Sequence, residues 1–349
     1  MHDCTADVLA FHDEQVTLPN DERGEMRKRR DANRTRLRTG LKGAGRPKFS
    51  EFKSQGSYAM KTMTQHPTKD YDIDDGVYFE KEVLVGERGA EMSALDVRQM
   101  VRDSLDDKKF KTPPVVRTNC VRVLYDEGYH VDLPIYRVVR SKNSVIPDYC
   151  ELASSDWKRS DARDVTAWFD EVNEQKSPDT ENGRQFRRIT RLVKKFGKSR
   201  RSWEDQVLSG FGITVLVSEC FRSNAAREDV ALYETMCAMK GRLDSNLVVK
   251  HPVTPNETIT DGVDDAAARF LRDRLADATA WLQPLLEPRT DRKTALNCWD
   301  KAFFTKYFVD RAEQLPAQPR GIDAGLLKSL STSTEARAAV KKDGGGRYA

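Results

Sequence analysis

The sequence predicts an α+β protein with a mixed first half and a helical second half. Residues 71–79 alternate between polar and apolar side chains and are rich in β-formers, which is typical of a strand. Two further strand-like runs, 115–125 and 129–139, are joined by Asp-Glu-Gly at 126–128, a hairpin signal. After about residue 155, apolar residues recur three and four positions apart, as on the buried face of a helix.

Helical patterns account for most of the remaining chain. Residues 1–48 are expected to be helical and to end at a stop that contains Gly and Pro. Residues 49–64 are expected to form a short turn followed by a helix, and 251–261 a loop. The tail from Ser329 is small, polar and Gly-rich, which favours disorder. The other predicted helices are 93–105, 161–172, 186–196, 213–221, 227–243, 264–286 and 293–312.

Composition excludes several classes of protein. Charged residues make up 33% of the 349 residues, and no apolar stretch approaches the roughly 20 residues of a membrane span. The first residues lack the basic-then-apolar order of a secretory signal. Six scattered cysteines without a C-x-x-C spacing exclude a disulfide scaffold and a zinc ribbon, and favour a reducing cytosol. The net charge of +4 does not by itself indicate a nucleic-acid partner.

Common catalytic motifs are absent from the sequence. Gly197-Lys198-Ser199 resembles the end of a phosphate-binding P-loop, but Leu192 stands where that motif requires glycine. There is no G-x-S-x-G and no H-E-x-x-H motif, and the five histidines do not have a metal-ligand spacing. We interpret these histidines as surface or hydrogen-bonded side chains.

Three short segments, taken together, indicate phosphoryl chemistry. Gln55-Gly56-Ser57 opens a predicted helix, Asp72-Ile73-Asp74 lies on a predicted strand, and Asp132 lies on a later one. Residues two apart on a strand point to the same face, so Asp72 and Asp74 project together. A third carboxylate from a neighbouring strand would complete a cluster whose mutual repulsion is relieved by bound cations.

Magnesium suits such a cluster, because carboxylate oxygens and substrate phosphates are its usual ligands. Two ions about 3.5–4 Å apart would form a two-metal site. Gly56 would let the backbone approach a phosphate closely, and Ser57 with the following amides would donate to a triphosphate. Each segment alone has an ordinary explanation: a turn, a solvated strand face, or a structural hydrogen-bond acceptor at Asp132. Their combination in this order favours the two-metal interpretation.

These segments resemble a known family. The runs Gln55-Gly56-Ser57-Tyr58, Asp72-Ile73-Asp74-Asp75-Gly76-Val77-Tyr78 and His130-Val131-Asp132-Leu133-Pro134 resemble the bacterial cGAS/DncV-like nucleotidyltransferases, which are second-messenger synthases of anti-phage defence. The resemblance is strongest to the cyclic GMP-AMP synthase branch, in which the strand also reads Asp-Ile-Asp-Asp-Gly, and it covers about residues 1–310.

The resemblance implies a polymerase-β-like nucleotidyltransferase core with a mixed sheet, packed on a helical domain and braced by a long N-terminal helix. We expect the core and its brace at 1–155, an OAS-like helical domain at 156–328, and a flexible tail at 329–349. The active site would lie in the cleft between the core and the helical domain.

The resemblance also implies roles for individual residues. Two Mg²⁺ ions, or two Mn²⁺ ions, would be held by the catalytic carboxylates Asp72, Asp74 and Asp132. The donor nucleotide would be held by Gln55, Gly56, Ser57 and Tyr58. Lys194 and Ser209 match nucleotide-binding positions, with Lys195 as the alternative to Lys194. Asp75 points away from Asp74 and is interpreted as structural.

Two basic runs need an interpretation. Arg184–Arg201 contains nine Lys/Arg and no acid, and a solvated helix face is the usual explanation of such a run. We expect its charges on the outer arc of the helix, with one or two facing the cleft to neutralise a triphosphate. Arg23–Lys48 contains eleven Lys/Arg, but interleaved acids and the lack of aromatic residues argue against nucleic-acid binding.

The leading hypothesis is a cyclic di- or oligonucleotide synthase that joins NTPs by two-metal nucleotidyl transfer and releases pyrophosphate, with ATP and GTP as the favoured substrates and a cyclic GMP-AMP-type product. Its expected setting is cytoplasmic anti-phage (CBASS) signalling, with a separate effector protein that binds the product and no membrane partner. One alternative is a template-independent nucleotidyltransferase that acts on RNA or on a protein hydroxyl. Another is a non-catalytic basic nucleic-acid-binding protein, against which the intact carboxylate set argues.

The tail Lys341–Ala349 contains three consecutive glycines and has alanine as its last residue. A frayed terminus is its ordinary explanation. Some synthases that the sequence resembles are conjugated through their C-terminus by a ubiquitin-ligase-like partner. Ala349 is therefore a candidate conjugation site.

Overall fold

A mixed sheet organises the first half of the chain. The computed structural model describes residues 1–314 except 70, 87–88, 127, 142–146 and 255. Within these residues the strands are Glu51–Gln55 (β1), Asp72–Glu80 (β2), Val115–Val116 (β3), Val121–Leu124 (β4), His130–Leu133 (β5), Ile135–Val139 (β6), Tyr149–Ala153 (β7) and Trp157–Arg159 (β8). The α-helices are Thr5–Phe11 (α1), Asn20–Gly43 (α2), Gly56–Ala59 (α3), Ala94–Leu105 (α4), Ala162–Lys176 (α5), Gln185–Gly197 (α6), Gly210–Cys220 (α7), Glu228–Ser245 (α8), Ala266–Leu282 (α9), Arg292–Phe303 (α10) and Tyr307–Gln314 (α11).

The long strand β2 is the centre of the sheet. β5 and β6 pair with it in parallel and in one continuous register, with Asp74 opposite Asp132 and Val77 opposite Ile135. Pro134 separates β5 from β6 because proline has no N–H, yet its carbonyl still accepts a hydrogen bond from Val77 N–H at 2.8 Å. The strands predicted at 71–79 and 129–139 are confirmed, as is the hairpin predicted between 115–125 and 129–139, which is formed by β4 and β5.

Three strands were not predicted from the sequence: β1, β7 and β8. The segment 49–64, expected as a turn and a helix, begins with β1, which pairs antiparallel with β2, and continues with the single turn α3. Only Gln55 in β1 is buried, so the strand has no apolar alternation to indicate it. β7 and β8 are likewise short and lie at the β6 side of the sheet. These strands form because their backbones pair with neighbouring strands, and not because of their own side-chain pattern.

The N-terminal segment braces both halves of the chain. α1 packs on the helical half, where the Phe11 ring centre lies 4.7 Å from that of Phe303. α2 packs on the sheet side, where its Leu37 and Leu41 share a buried cluster with Val97 of α4. α2 has 24 residues and is the long bracing helix that the resemblance implies. The α+β class is confirmed.

Several arginines of α2 lie over aromatic rings of neighbouring elements. The pairs are Arg29 with Tyr125 and Tyr129, Arg30 with Tyr58, Arg34 with Phe52, Arg36 with Phe110, and Arg38 with Phe49, at 4.6–5.7 Å from the guanidinium carbon to the ring centre. Arg stacked on a ring is attracted by the ring's quadrupole. Much of the N-terminal positive charge is therefore used within the molecule.

The predicted helices of the second half are present as α5 to α10. The stretch 293–312 is interrupted at Phe304, which adopts the left-handed conformation with φ of 53°, so α10 and α11 are separate. Residues Met1–Val309 form one compact unit, and the predicted boundary near residue 155 stays a prediction. The expected tail at 329–349, with Ala349, lies outside the described residues. No described helix is long and apolar enough to cross a membrane.

Helix α6 is both basic and buried. Four of its side chains donate hydrogen bonds to carbonyl oxygens of the segment 60–65, which follows α3, and we call this set of bonds the α6 clamp. The donor and acceptor atoms are Arg187 Nε and Met60 O (3.0 Å), Arg191 Nε and Lys61 O (2.8 Å), Lys194 Nζ and Thr62 O (2.9 Å), and Lys195 Nζ and Gln65 O (3.1 Å). Hydrogen bonds from charged donors are the stronger kind, so the clamp ties the helical half to this segment.

The expectation that the charges of Arg184–Arg201 lie on the outer arc of the helix is wrong for Arg188 and Arg191, whereas Lys194 faces the cleft described below, as expected for one or two of these charges. Arg188, Arg191 and Lys194 are buried. Their positive charge is satisfied by partners within the protein: Arg188 pairs with Glu228 at 2.9 Å, and the other two belong to the α6 clamp. The sequence pattern did not show this because the partners are backbone carbonyls and a carboxylate distant in the chain.

A buried histidine completes the clamp. His12 Nε2 accepts a hydrogen bond from Arg191 Nη1 at 3.1 Å, while Nδ1 lies 2.7 Å from the Asp13 carboxylate. Burial, and next the charge of Arg191, lower the pKa of His12 to about 4. The imidazole is therefore neutral at pH 7, which is the form that can accept from Arg191.

Close packing of α2 on α4 predicts a large effect from a single methyl group. A Cβ at Gly40 would lie 1.8 Å from the Ser104 carbonyl oxygen of α4, whereas a Cβ at Gly24 of the same helix would meet no atom within 4 Å. Gly40→Ala should therefore lower stability by about 1–3 kcal/mol. The matched control Gly24→Ala should raise it by about 0.5–1 kcal/mol, since alanine is the better helix former. Thermal unfolding measures both, and equal effects would contradict this packing.

The neutral state of His12 predicts a pH dependence of stability. As the pH falls from about 6.5 towards 4, the unfolded chain binds a proton at this residue that the folded protein does not, so the free energy of unfolding decreases. His12→Gln removes this proton uptake. We expect the variant to be less stable than wild type near pH 7, and the difference to shrink towards about pH 4.5. Urea denaturation across this range is the measurement; a difference independent of pH is the opposing outcome.

Candidate active site

Four side chains form a row across the sheet near the start of β2. In the strand register Gln55 of β1 is opposite Asp74, Asp74 is opposite Asp132 of β5, and Asp132 is opposite Arg122 of β4. Asp72 lies two residues before Asp74 and so belongs to the same face of β2. The structure thus brings the three carboxylates singled out in the sequence onto adjacent strands.

Burial and the neighbouring charges both act on the Asp74 carboxylate. Its side chain is partly buried, and removal from water is the largest cause that raises its pKa well above the usual range. The negative charges of Asp72 and Asp132 raise this pKa further, and Arg122 opposes them. The arrangement therefore disfavours a third negative charge unless a cation is present.

Asp132 is held by an arginine that the sequence reasoning missed. Arg122 donates from Nε to Oδ1 at 2.8 Å and from Nη2 to Oδ2 at 2.7 Å, a two-point ion pair. Asp132 is only 6% exposed and does not line the cleft described below. In the structure its carboxylate is therefore oriented by Arg122.

The chain passes directly from β1 into α3 at Gln55-Gly56-Ser57, which we call the Gln55–Ser57 loop, and it approaches the carboxylates through a glycine. Gly56 has φ of +63°, and a Cβ there would lie 2.2 Å from Asp74 Oδ2. Gln55 is buried and donates from Nε2 to the Tyr136 hydroxyl at 3.1 Å, while its Oε1 has no hydrogen-bond partner among the described residues. Only a residue without a side chain fits between this loop and β2. Gly56 therefore lies directly against Asp74, while the expected approach of its backbone to a phosphate stays a prediction.

A cleft of about 420 Å³ opens beside this loop. Its volume is in the range of small-molecule sites, about 300–1,000 Å³. One wall comes from the sheet side and the other from the helical half. The lining residues are Gln55, Gly56, Ser57, Met60, Met63, Thr64, Tyr71, Asp72, Asp74, Ser160, Ala162, Val165, Lys194, Lys198, Gly210, Phe211, Thr214 and His251.

The two walls carry opposite charge. Asp72 and Asp74 lie on the sheet side, and Lys194 and Lys198 of the helical half face the same cavity. Burial, and next the charge of Lys198, lower the pKa of Lys194 to about 8, so the ammonium form still predominates at pH 7. A Cβ at Gly210 would lie 3.0 Å from Lys194 Cε, so the small residue there leaves room for the lysine. The cleft can therefore neutralise an anionic ligand beside a carboxylate cluster.

Some residues singled out in the sequence do not line the cavity. Tyr58 lies under the guanidinium of Arg30. Ser209 caps α7, where its hydroxyl accepts from Gly212 N–H at 3.1 Å, although its neighbours Gly210 and Phe211 do line the cleft. Lys195 donates to Gln65 and does not line the cavity, whereas Lys194 does.

Asp75 has the structural contacts that its orientation implies. It is 1% exposed and accepts from Arg34 Nε at 2.6 Å and from the Ser54 hydroxyl at 2.9 Å. This pair joins α2 to β2 on the face away from the cleft. The two neighbouring aspartates, Asp74 and Asp75, therefore contact different parts of the protein.

Besides Arg122, which does not line the cleft, sequence reasoning missed several lining residues, among them Lys198, Phe211 and His251. Lys198 belongs to the Gly-Lys-Ser run that was dismissed as a P-loop, and it lines the cleft from the end of α6 without that motif. Phe211 and His251 lie far apart in the chain but pack together with ring centres 5.4 Å apart. Neither residue has a sequence signal, because only the fold brings the loop 251–261 onto the start of α7.

The donor chemistry fits a divalent cation, although no ready set of ligands is formed. Among the described residues, no three His, Cys, Asp or Glu side chains converge as a metal site. Asp72 and Asp74 are open to the cleft, while Asp132 is turned to Arg122. A carboxylate has about four acceptor positions and the guanidinium uses two of them, so Asp132 retains capacity for a cation.

Part of the chain matches a known protein family. Residues 50–136, which contain the loop and all three carboxylates, match the family described as cyclic GMP-AMP synthase DncV-like, nucleotidyltransferase domain. Solved structures share the fold over most of the chain. Escherichia coli DncV in its 3′-deoxy GTP-bound form is 16% identical, with a TM-score of 0.65 over 84% of this chain and 93% of that chain.

Two further solved structures show the same fold. Vibrio cholerae DncV cyclic AMP-GMP synthase, in complex with the linear intermediate 5′ pppA(3′,5′)pG, is 14% identical with a TM-score of 0.65, over 83% of this chain and 91% of that chain. CdnC of E. coli MS115-1, solved with ATP, is 15% identical with a TM-score of 0.62, over 87% of this chain and 98% of that chain. The resemblance expected from the sequence is confirmed: residues 50–136 are a DncV-like nucleotidyltransferase domain, and the chain is a nucleotidyltransferase with the fold of the bacterial cGAS/DncV-like enzymes.

Proposed function

We propose that this chain is a cyclic oligonucleotide synthase that joins NTPs, with ATP and GTP as the favoured substrates. A ribose hydroxyl of one nucleotide attacks the α-phosphorus of another, the bond to pyrophosphate breaks, and the hydroxyl proton passes to solvent. A second transfer closes the ring. The observation that supports this most directly is one cleft in which the β2 carboxylates face Lys194 and Lys198 beside the Gln55–Ser57 loop.

Each wall of the cleft has a separate task in this proposal. Lys194 and Lys198 neutralise charge on the triphosphate of the donor nucleotide. The Ser57 hydroxyl donates to a non-bridging phosphate oxygen, and Gly56 lets the phosphates come close to β2. Gln55 supports the loop through its bond to Tyr136. The α6 clamp keeps the loop and the lysines in fixed relation, because one of its members is Lys194 itself.

Asp72, Asp74 and Asp132 would hold two Mg²⁺ ions, or Mn²⁺. Burial, and next the repulsion from Asp72 and Asp132, raise the pKa of Asp74, and divalent cations would relieve that repulsion. When bound, such ions neutralise charge on the reacting phosphate and on the leaving pyrophosphate. Arg122 would fix the rotamer of Asp132 and so serve as a positioning residue for it.

The biological setting belongs to the same proposal. The cyclic product would act as a second messenger in cytoplasmic anti-phage (CBASS) defence, through a separate effector protein. CdnC of E. coli MS115-1 has been solved in complex with a HORMA protein, and we extend to this chain only the idea of a protein partner. Conjugation of Ala349 by a ubiquitin-ligase-like partner rests on the sequence alone, since 315–349 lie outside the described residues.

Incubation of the purified chain with labelled NTPs and Mg²⁺, followed by phosphatase and mass spectrometry, tests this function. We expect phosphatase-resistant cyclic products that require no primer. Extension only of an added RNA, or labelling of protein, would show the alternative nucleotidyltransferase activity. Binding of nucleic acid without any product would contradict catalysis altogether.

Two neighbouring aspartates give a matched pair of variants. Asp74→Asn should lower the rate of synthesis by about 10²-fold or more, because it removes a group that stabilises the transition state. It should not lower the melting temperature, since it relieves repulsion in a carboxylate cluster. Asp75→Asn should do the reverse: a lower melting temperature from the weakened Arg34 pair, with activity kept below that temperature. Full activity of the Asp74 variant would contradict the assignment.

A further inference from the structure

The helical wall of the cleft carries an aromatic pair that the chemistry above does not use. Phe211 lies in the first turn of α7 and His251 in the loop after α8, and both line the cavity. Their ring centres are 5.4 Å apart, with the planes tilted by 59°. The carboxylates, Gln55–Ser57 and the lysines account for the phosphates, so this pair faces the same cavity without a role in phosphate binding.

The loop that carries His251 is fixed by hydrogen bonds. His251 N–H donates to the Glu257 carbonyl at 2.9 Å, and Lys250 and Thr258 form an antiparallel bridge. Val249 N–H donates to the buried Thr260 hydroxyl at 2.9 Å. The imidazole is therefore held by an ordered backbone, which is the condition for selective recognition of a ligand.

Hydrogen bonds also fix the tautomer of His251. The backbone N–H groups of Thr254, at 3.0 Å, and Val253, at 3.4 Å, donate to Nδ1. Nδ1 therefore carries no proton, and the proton of the neutral ring is on Nε2. Burial lowers the pKa of His251, so the neutral form holds at pH 7 and above. No hydrogen bond joins Nε2 to the described residues, which leaves its N–H free to donate to a ligand.

We propose that Phe211 and His251 form a nucleobase seat that selects a base with a carbonyl oxygen, guanine or uracil, over adenine or cytosine. This inference rests on the proposed function, since it assigns the base of a nucleotide whose phosphates occupy the same cleft. An aromatic ring stacks on any base. A single fixed N–H donor is matched by the O6 of guanine or the O4 of uracil, whereas adenine and cytosine present an amino group at that position. When the Nε2–H of His251 faces the amino group of adenine or cytosine, two donors meet and neither is paired. The site therefore discriminates against these two bases.

Calorimetric binding of NTP analogues with a methylene bridge between the α- and β-phosphorus tests this seat in the full chain with Mg²⁺, because these analogues cannot undergo transfer. We expect wild type to bind the GTP and UTP analogues about tenfold more tightly than those of ATP and CTP. His251→Ala should reduce this preference to about twofold by weakening the guanine and uracil analogues. His251→Gln, which restores an N–H donor, should recover part of it. Phe211→Ala should weaken all four by a similar factor, at least about fivefold.

Several outcomes would overturn the proposal. They are a wild-type preference for adenine or cytosine, a preference that His251→Ala leaves unchanged, and a loss of the guanine and uracil preference in Phe211→Ala alone. Melting temperatures of the three variants show that they are folded. If the base selectivity depends on His251 but no cyclic product forms, the proposed synthase function is contradicted and the nucleobase seat is still supported. If cyclic products form without this selectivity, only the seat fails.

Discussion

The hydrogen bonds from α6 to the segment 60–65 hold the two walls of the cleft together. The four donors are cations, and two of them, Arg191 and Lys194, are buried, so separating the walls would leave these two charges without partners in the protein interior. The same segment follows the Gln55–Ser57 loop directly. The basic helix α6, whose charge run would usually indicate an exposed surface, therefore sets the width of the cleft. His12, neutral and buried against Arg191, extends this arrangement to the N-terminal brace.

The opposition of charge across the cleft follows from that arrangement. β2 and β5 run in parallel and in register, so Asp74 and Asp132 are neighbours because of backbone pairing alone. Lys194 is delivered from the opposite side by a helix whose position the clamp fixes. Each wall carries charge that is unfavourable without a ligand. The carboxylates repel one another, and burial lowers the pKa of Lys194. A ligand that carries phosphates and divalent cations relieves both, because the cations offset the carboxylates and the phosphates offset the lysine.

Sequence patterns predicted the parts of the fold that are dictated locally. The alternation over 71–79 and the three- and four-residue spacing in α6 and α7 reflect burial of one face, which is visible in a single segment. β1 was missed because pairing with β2, not its own side chains, makes it a strand. In the site, Asp72, Asp74 and Gly56 were recognisable from spacing, whereas Arg122, Lys198 and His251 were not. Those residues come into place through register and loop contacts between distant parts of the chain, which no local pattern encodes.

Gly56 shows a different kind of constraint on the active site. The space that its absent side chain leaves is taken up by the Asp74 carboxylate, so the loop and the strand share one volume. Alanine, the smallest possible replacement, would have to displace either the loop or the carboxylate, and its left-handed backbone conformation would be strained as well. Substitution at position 56 is therefore restricted by the lack of space for a side chain and not by reactivity. A residue that contributes no functional group is for this reason as irreplaceable as the aspartate it lies against.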